Sequence, residues 1–394
     1  AVSGRLPMYS YKALLDDPLV AAECFKVFTP VSPIKYDSPD DLFSHIRRGD
    51  VLLHHPFHSF ALVEDLLEAA SEDPTVLGIK ITLYRTGTRS RIVDALMRAA
   101  RNGKQVTALV ELRARFDEET NIQWAKRMEE EGVHVVYGLI GYKTHCKIAL
   151  IVRKEASKIV RYVHMSTGNY NSATARLYTD LSLMTVDKDI AQDATHLFNS
   201  ITGYSKLPAM QKLATSPGNL KATVIKLIRA ERELAKTGKK GRLIAKMNSL
   251  VDPEVIDELY LASQAGVQID LVVRGICCLR PGVPGISENI RVRSIVGRLL
   301  EHSRILVAYN GGDPKIYLMS ADWMPRNFIR RVEIAFPIEN KSVRETILKN
   351  ILQRYLDDTE SARILQPDGT YRRIREAGKE GMNVQRTFIA ESRL

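Results

Sequence analysis

Two short strings place an imidazole two residues ahead of a cation: His145-Cys146-Lys147 and His302-Ser303-Arg304. Side chains alternate faces along an extended run, so His145 and Lys147 share one face, as do His302 and Arg304. A lone strand histidine is most often simply packed or hydrogen-bonded. Two at equivalent places of a repeated plan point further, because a pseudo-twofold axis would bring them to one cleft. Neutral imidazole is a competent nucleophile near neutral pH and attacks phosphorus to give a phosphohistidine. A second imidazole, protonated, can give its proton to the departing oxygen. Phosphoryl transfer also needs charge neutralisation and in-line positioning, which arginine forks and metal ions supply.

Arginines stand where such a cradle is needed, at the C-terminal ends of strand-like runs. Arg85 follows Leu83-Tyr84, Arg113 and Arg115 follow Val110-Glu111-Leu112, and Arg274 follows Val272-Val273. The loop 166–171 adds hydroxyls, amides that include Asn169, and Gly168, where backbone can approach phosphate oxygens. Tyr178 offers a ring able to stack on a nucleobase. Asp117-Glu118-Glu119 reads as a helix N-terminus. The basic stretch 221–242 reads as a solvated helix face, with a polyanion track as the lesser reading, and Cys277-Cys278 as buried thiols.

The elements that must position these groups occur twice. Residues 60–70 read as an amphipathic helix, 76–83 as a buried strand, 91–101 as a helix closed by Asn102-Gly103, and 106–112 as the next strand. Roughly 160 residues later the order returns: strand 243–247, a helix from Asp252-Pro253 to Ala265-Gly266, and strand 269–273. Setting Gly103 on Gly266 aligns Gln105 with Gln268. Downstream, residues 144–148 face 301–305, and Met165-Ser166 face Met319-Ser320. The pattern predicts an α/β fold of two domains related by duplication and facing each other across a cleft. The expected boundaries are an irregular lead-in at 1–36, the tail of a missing preceding domain, then domains at 37–212 and 213–394. Pro208, Pro217 and Gly218 break the pattern at the join.

Composition narrows the partners. The 394 residues hold 57 Lys+Arg against 46 Asp+Glu, a net charge of +11, and 45% are hydrophobic, which excludes a disordered chain. No apolar run approaches the ~18 residues of a membrane span. The first residues lack the apolar core of a signal peptide. The four cysteines form no Cys-x-x-Cys pair, which argues against a disulfide framework or structural zinc and for a cytoplasmic location. The positive surplus suits a polyanion: nucleic acid, anionic lipid or a phosphate-rich substrate.

At these residues the chain resembles the phospholipase D superfamily, whose signature is His-x-Lys, four intervening residues, then Asp. Val152 and Tyr309 stand at the Asp positions and Arg304 replaces the second Lys. That departure disfavours a phosphodiesterase and matches the branch of the polyphosphate kinases. The resemblance to bacterial polyphosphate kinases runs from Asp37 onward. It rests on Leu83-Tyr84-Arg85, residues 110–119, Lys143-Thr144-His145-Cys146-Lys147, Thr167-Gly168-Asn169-Tyr170-Asn171, residues 175–180, Val273-Arg274-Gly275 and residues 320–324.

The resemblance implies two tandem phospholipase D-like α/β domains and reversible transfer of the ATP γ-phosphate to inorganic polyphosphate through a phosphohistidine, with magnesium. It makes His145 the nucleophile and His302 its partner, Lys147 completing the catalytic set. Tyr178, Arg274 and His302 fall at nucleotide-binding positions, joined by Arg304 and Asn169. The family's magnesium is placed at Arg85 and Arg115. A guanidinium cannot ligate a cation, so these two are expected to hold phosphate oxygens that in turn bind the metal. The implied partners are ATP/ADP and polyphosphate, with no nucleic acid, and a full-length protein that forms homo-oligomers and is compatible with peripheral membrane association. The alternatives are a phospholipase D-like nuclease or phosphodiesterase, and a non-catalytic polyanion-binding fragment.

Overall fold

The computed structural model describes residues 24–87, 89–112, 118–139, 141–203, 208–374 and 381–392. Arg113, Arg115 and Asp117, and the first 23 residues of the expected lead-in, lie outside them. The N-terminal half contributes β1 (Val51–His55), β2 (Val76–Leu83), β3 (Gln105–Val110), β4 (His134–Val136), β5 (Lys143–Thr144), β6 (Lys147–Glu155), β7 (Lys158–Ser166) and β8 (Tyr178–Thr185). All but β5 form one mixed sheet in the order β1-β8-β7-β6-β2-β3-β4. The C-terminal half contributes β9 (Ala214–Ser216), β10 (Arg242–Met247), β11 (Gln268–Val273), β12 (Ile290–Ile295), β13 (Leu300–Glu301), β14 (Ile305–Ala308), β15 (Lys315–Met319), β16 (Arg331–Ile338), β17 (Ala362–Leu365) and β18 (Tyr371–Arg373). Its sheet runs β18-β17-β12-β11-β10-β14-β15-β16-β5, with β9 also on β16.

Strand alternation sorts the apolar residues into three layers of core. In β6, Ala149 and Ile151 point to helices α1 (Pro39–Arg48), α2 (Ala61–Glu72), α3 (Arg91–Arg101) and α4 (Glu118–Glu130). Ile148 and Leu150 point the other way, into a central core shared with α5 (Lys188–Gly203) and with Ile244, Val307 and Ile334 of the second sheet. The far face of that sheet, with Leu243 and Ala245, packs on α6 (Leu220–Lys236) and α7 (Pro253–Gln264). The helix limits follow local chemistry. Asp252 caps α7 by accepting from Val255 N at 3.2 Å, with Pro253 in the first turn. Gly103, at φ 75°, turns the chain out of α3 toward β3. Cys277 is half-buried and Cys278 exposed, so the expectation of two buried thiols fails for Cys278. Among the described residues no helix is long and apolar enough to cross a membrane.

The two halves exchange strands. β5 adds in parallel to β16, pairing Lys143 with Arg331 and Thr144 with Val332. β13 adds in parallel to β8, pairing Leu300 with Tyr178 and Glu301 with Thr179. This corrects the expectation of one continuous strand through each His-x-cation string. The chain leaves the second sheet at Thr144 and enters the first at Lys147. The N–H groups of His145 and Cys146 both bond to the Val332 carbonyl, at 2.9 and 2.8 Å. His302 likewise sits between β13 and β14. A crossing between sheets is the price of placing each histidine at the seam.

Candidate active site

His145 is buried, and its Nδ1 lies 2.9 and 3.0 Å from the two carboxylate oxygens of Glu333 on β16. The strand exchange explains the contact, since Glu333 is the residue after Val332, the register partner of Thr144. Burial, then the charges of Lys147, Arg331, Arg304 and His302, hold the His145 pKa well below its ordinary value. The imidazole is therefore neutral at pH 7, and an Nδ1–H directed at Glu333 leaves the lone pair on Nε2. Ser320 donates its hydroxyl to the same carboxylate.

His302 repeats the plan with the halves reversed. Its Nδ1 is 2.9 Å from both oxygens of Asp180 on β8. Thr167 donates to Asp180 at 2.6 Å, and its carbonyl accepts from Arg304 Nη1 at 3.1 Å. Arg304 also binds Asp322 through Nε and Nη2, at 3.3 and 3.1 Å. Its Nη1 stands 3.3 and 3.2 Å from the two ring nitrogens of His302, so it lies over the ring instead of bonding in its plane. Burial and this guanidinium lower the His302 pKa, while Asp180 opposes them. The Tyr178 ring is 5.1 Å from that of His302. Arg274 bonds the Glu301 carbonyl at 2.7 Å and Asn248 Oδ1 at 2.9 Å, and Asn248 Nδ2 donates to the His302 carbonyl. Tyr178, Arg274, His302 and Arg304 thus converge.

On the His145 side the organiser is Tyr84. Its ring meets His145 edge-on at 5.0 Å, with Arg85, Lys143 and Lys147 at 5.5, 5.3 and 5.3 Å from its centre. Lys147 is fully buried, and its Nζ has no hydrogen-bond partner among the described residues. Asn169 Oδ1 is similarly without one. An unsatisfied buried ammonium is costly, so it marks a place for an anion. Gly168 makes room for an acid. A Cβ there would stand 2.2 Å from Asp180 Oδ2, so only glycine lets that acid reach His302. Among the described residues no cluster of three or more His, Cys, Asp and Glu side chains is placed to hold a metal ion. Arg85 offers donors only, so it would meet a metal only through oxygens of a bound phosphate.

Sequence reasoning did not weigh Glu333, Asp180 or Tyr84 as site residues. The signal for the acids was present: carrying the alignment of the halves past Ser166 and Ser320 sets Asp180 beside Glu333 after a one-residue slip. The basic helix α6 proves largely neutralised. Lys221 pairs with Asp252 and Glu254, Arg229 and Arg232 with Glu258, and Lys236 with Glu233.

Residues 41–207 match the family model described as Polyphosphate kinase C-terminal domain 1, and residues 213–385 match Polyphosphate kinase C-terminal domain 2. The chain belongs to the polyphosphate kinase family. Polyphosphate kinases of Paraburkholderia phytofirmans and Pseudomonas aeruginosa are 49% and 52% identical to it, over 99% and 92% of this chain. The chain spans 61% and 52% of the lengths of those two polyphosphate kinases. The crystal structure of the Porphyromonas gingivalis polyphosphate kinase matches with a TM-score of 0.88 at 36% identity, covering 99% of this chain and 60% of that one. A phosphatidylserine synthase of Haemophilus influenzae, at 11% identity, shares the fold alone, with a TM-score of 0.55 over 91% of this chain and 98% of its own. The architecture is two phospholipase D-like α/β domains.

Proposed function

We propose that this chain carries the transfer centre of a polyphosphate kinase, moving the ATP γ-phosphate reversibly to the end of inorganic polyphosphate through His145. The observation that carries the reading is the pairing of His145 Nδ1 with Glu333, beside a buried Lys147 whose Nζ has no hydrogen-bond partner among the described residues. His145 Nε2 attacks the γ-phosphorus. The N–P bond forms as the bond from phosphorus to the β–γ bridging oxygen breaks, and ADP leaves. A terminal polyphosphate oxygen then attacks the same phosphorus, the N–P bond breaks, and neutral imidazole returns. The reverse sequence makes ATP.

In this reading Lys147 and Arg85 neutralise the transferred phosphate and its chain. Arg274, Arg304 and Asn169 hold the nucleotide phosphates, Tyr178 stacks on the base, and His302, oriented by Asp180, passes a proton to the leaving oxygen and takes one back from the polyphosphate terminus as that oxygen attacks. Magnesium enters with its phosphates as part of the substrate, and Arg85 and Arg115 meet it only through phosphate oxygens. A cytoplasmic, homo-oligomeric full-length protein belongs to the same proposal. The test is incubation of the full-length protein with γ-labelled ATP and magnesium. Acid-labile, base-stable label that is lost in His145→Ala and chases into polyphosphate is the expected result. Turnover without any labelled protein would overturn the mechanism.

A further inference from the structure

The proposed catalytic groups lie between residues 84 and 333, yet one polar side chain reaches the site from the C-terminal helix. Gln385 lies in the first turn of α8 (Val384–Glu391) and is buried. Its Oε1 accepts from Leu299 N at 2.9 Å. Its Nε2 donates to the Leu299 carbonyl at 2.9 Å and to Glu301 Oε1 at 2.6 Å. One amide therefore fixes the backbone of residue 299 and the carboxylate of residue 301, immediately ahead of His302. Gly297 is shaped to the same side chain, for a Cβ there would stand 2.7 Å from Gln385 Oε1.

The other carboxylate oxygen of Glu301 is held as firmly. It accepts from Thr179 Oγ1 at 2.7 Å and pairs with Lys246 Nζ at 3.0 Å. Lys246 also donates to Ser303 Oγ at 2.7 Å, so buried polar groups grip the chain on both sides of His302. The need is physical. β13 is two residues long and pairs with β8 at two positions, with bonds from Leu300 N and His302 N to the carbonyls of Leu177 and Thr179 at 2.9 and 3.2 Å. So short a strand does not fix its own register. The helix that carries Gln385 is anchored on the first half: the Phe388 ring lies 4.8 and 4.9 Å from those of His54 and Phe57. A buried amide spent on three hydrogen bonds to one short segment does more than fill space, which leucine would do without desolvation.

We propose that Gln385 is a positioning residue for His302, so that the C-terminal helix is part of the phosphoryl-transfer machinery. The inference rests on the reading that His302 acts in the transfer. Misplacing a reacting group by about 1 Å costs on the order of 100-fold in rate. The test compares Gln385→Leu with wild type, His302→Ala and Phe388→Leu in the full-length protein, using ATP and polyphosphate. The expected result is a kcat lowered about 10- to 100-fold, with KM for polyphosphate within about twofold. Phe388→Leu, which loosens the same helix without touching residues 299–301, should lower Tm and keep kcat. Should Gln385→Leu not fold, the isosteric Gln385→Glu, which sets a carboxylate against Glu301, is read by the same criteria. A normal kcat beside an inactive His302→Ala overturns the inference and leaves the reading of His302 intact. Equal loss of kcat in Phe388→Leu overturns it too, since the helix would then act only as scaffold. Full activity in His302→Ala removes both.

Discussion

His145 and Glu333 meet across the two halves of the chain, the imidazole Nδ1 within 3.0 Å of the carboxylate. His302 and Asp180 make the reciprocal contact. Each imidazole is oriented by an acid from the domain it does not belong to, so neither domain holds a finished centre. The cause is the double strand exchange. β5 delivers His145 to the register position beside Glu333, and β13 delivers His302 beside Asp180. An acid on Nδ1 fixes the tautomer that leaves Nε2 nucleophilic and stabilises the positive charge that grows on the ring during attack.

Glu333→Gln tests that orientation. The amide keeps the volume but loses the charge, and its NH2 face would force the other tautomer on His145. We expect kcat to fall by up to about 10,000-fold, the loss seen when the acid that orients a catalytic histidine becomes its amide. The rate of label appearing on His145 should fall in proportion. Labelling at the wild-type rate would show that Glu333 is not needed to prepare the nucleophile.

Gly168→Ala tests the other pair from a distance. The added methyl would sit 2.2 Å from Asp180 Oδ2 and 2.4 Å from its Cγ, an overlap that only movement of the acid relieves. Asp180 is also held by Thr167, so moving it disturbs the contact of His302 and the carbonyl that binds Arg304. Turnover should drop roughly 100-fold, to the level of Asp180→Ala, with a much smaller change in Tm. Steady-state kinetics and thermal melts of the two variants side by side decide it. A fully active Gly168→Ala would mean that the loop, not the acid, sets that glycine.

Much of this was legible in the sequence because local and tertiary preferences agree. Strand Val76–Leu83 and helix Arg91–Arg101 carry their periodicity, caps and breakers within themselves, and the duplication is visible from matched residues. The histidine pair was legible for the same reason. What stayed hidden is what depends on register between distant segments. Nothing in Lys143-Thr144 says that it pairs with the other domain's sheet, so His145 and Lys147 looked like one strand. Glu333 and Asp180 are ordinary acids on apolar strands until that exchange sets them beside the imidazoles. Gln385 is harder still, since its role comes from the contact of a C-terminal helix with a two-residue strand.

Lys147 should give the protein its pH signature. Burial pushes its pKa down from 10.5 to about 7, with the Glu333 charge opposing the shift. Only the ammonium form binds phosphate, so kcat/KM for polyphosphate should decline as pH rises through about 7. In kcat the decline should appear at higher pH, because bound phosphate holds the proton on. Lys147→Arg should lose this limb, its guanidinium staying charged throughout, and should turn over more slowly because a planar fork replaces a point charge. Stability runs in the opposite sense. The folded pKa lies below the unfolded one, so between about pH 7 and 10.5 the unfolded chain binds more protons and stability rises with pH. Below that window the folded state bears the full cost of the buried charge. Lys147→Met should therefore be inactive yet melt several degrees higher at about pH 6, with the gain shrinking toward about pH 10. Melting curves at the two pH values check the sign, and a Tm for Lys147→Met below wild type at the lower pH would show that the ammonium is compensated in the free protein.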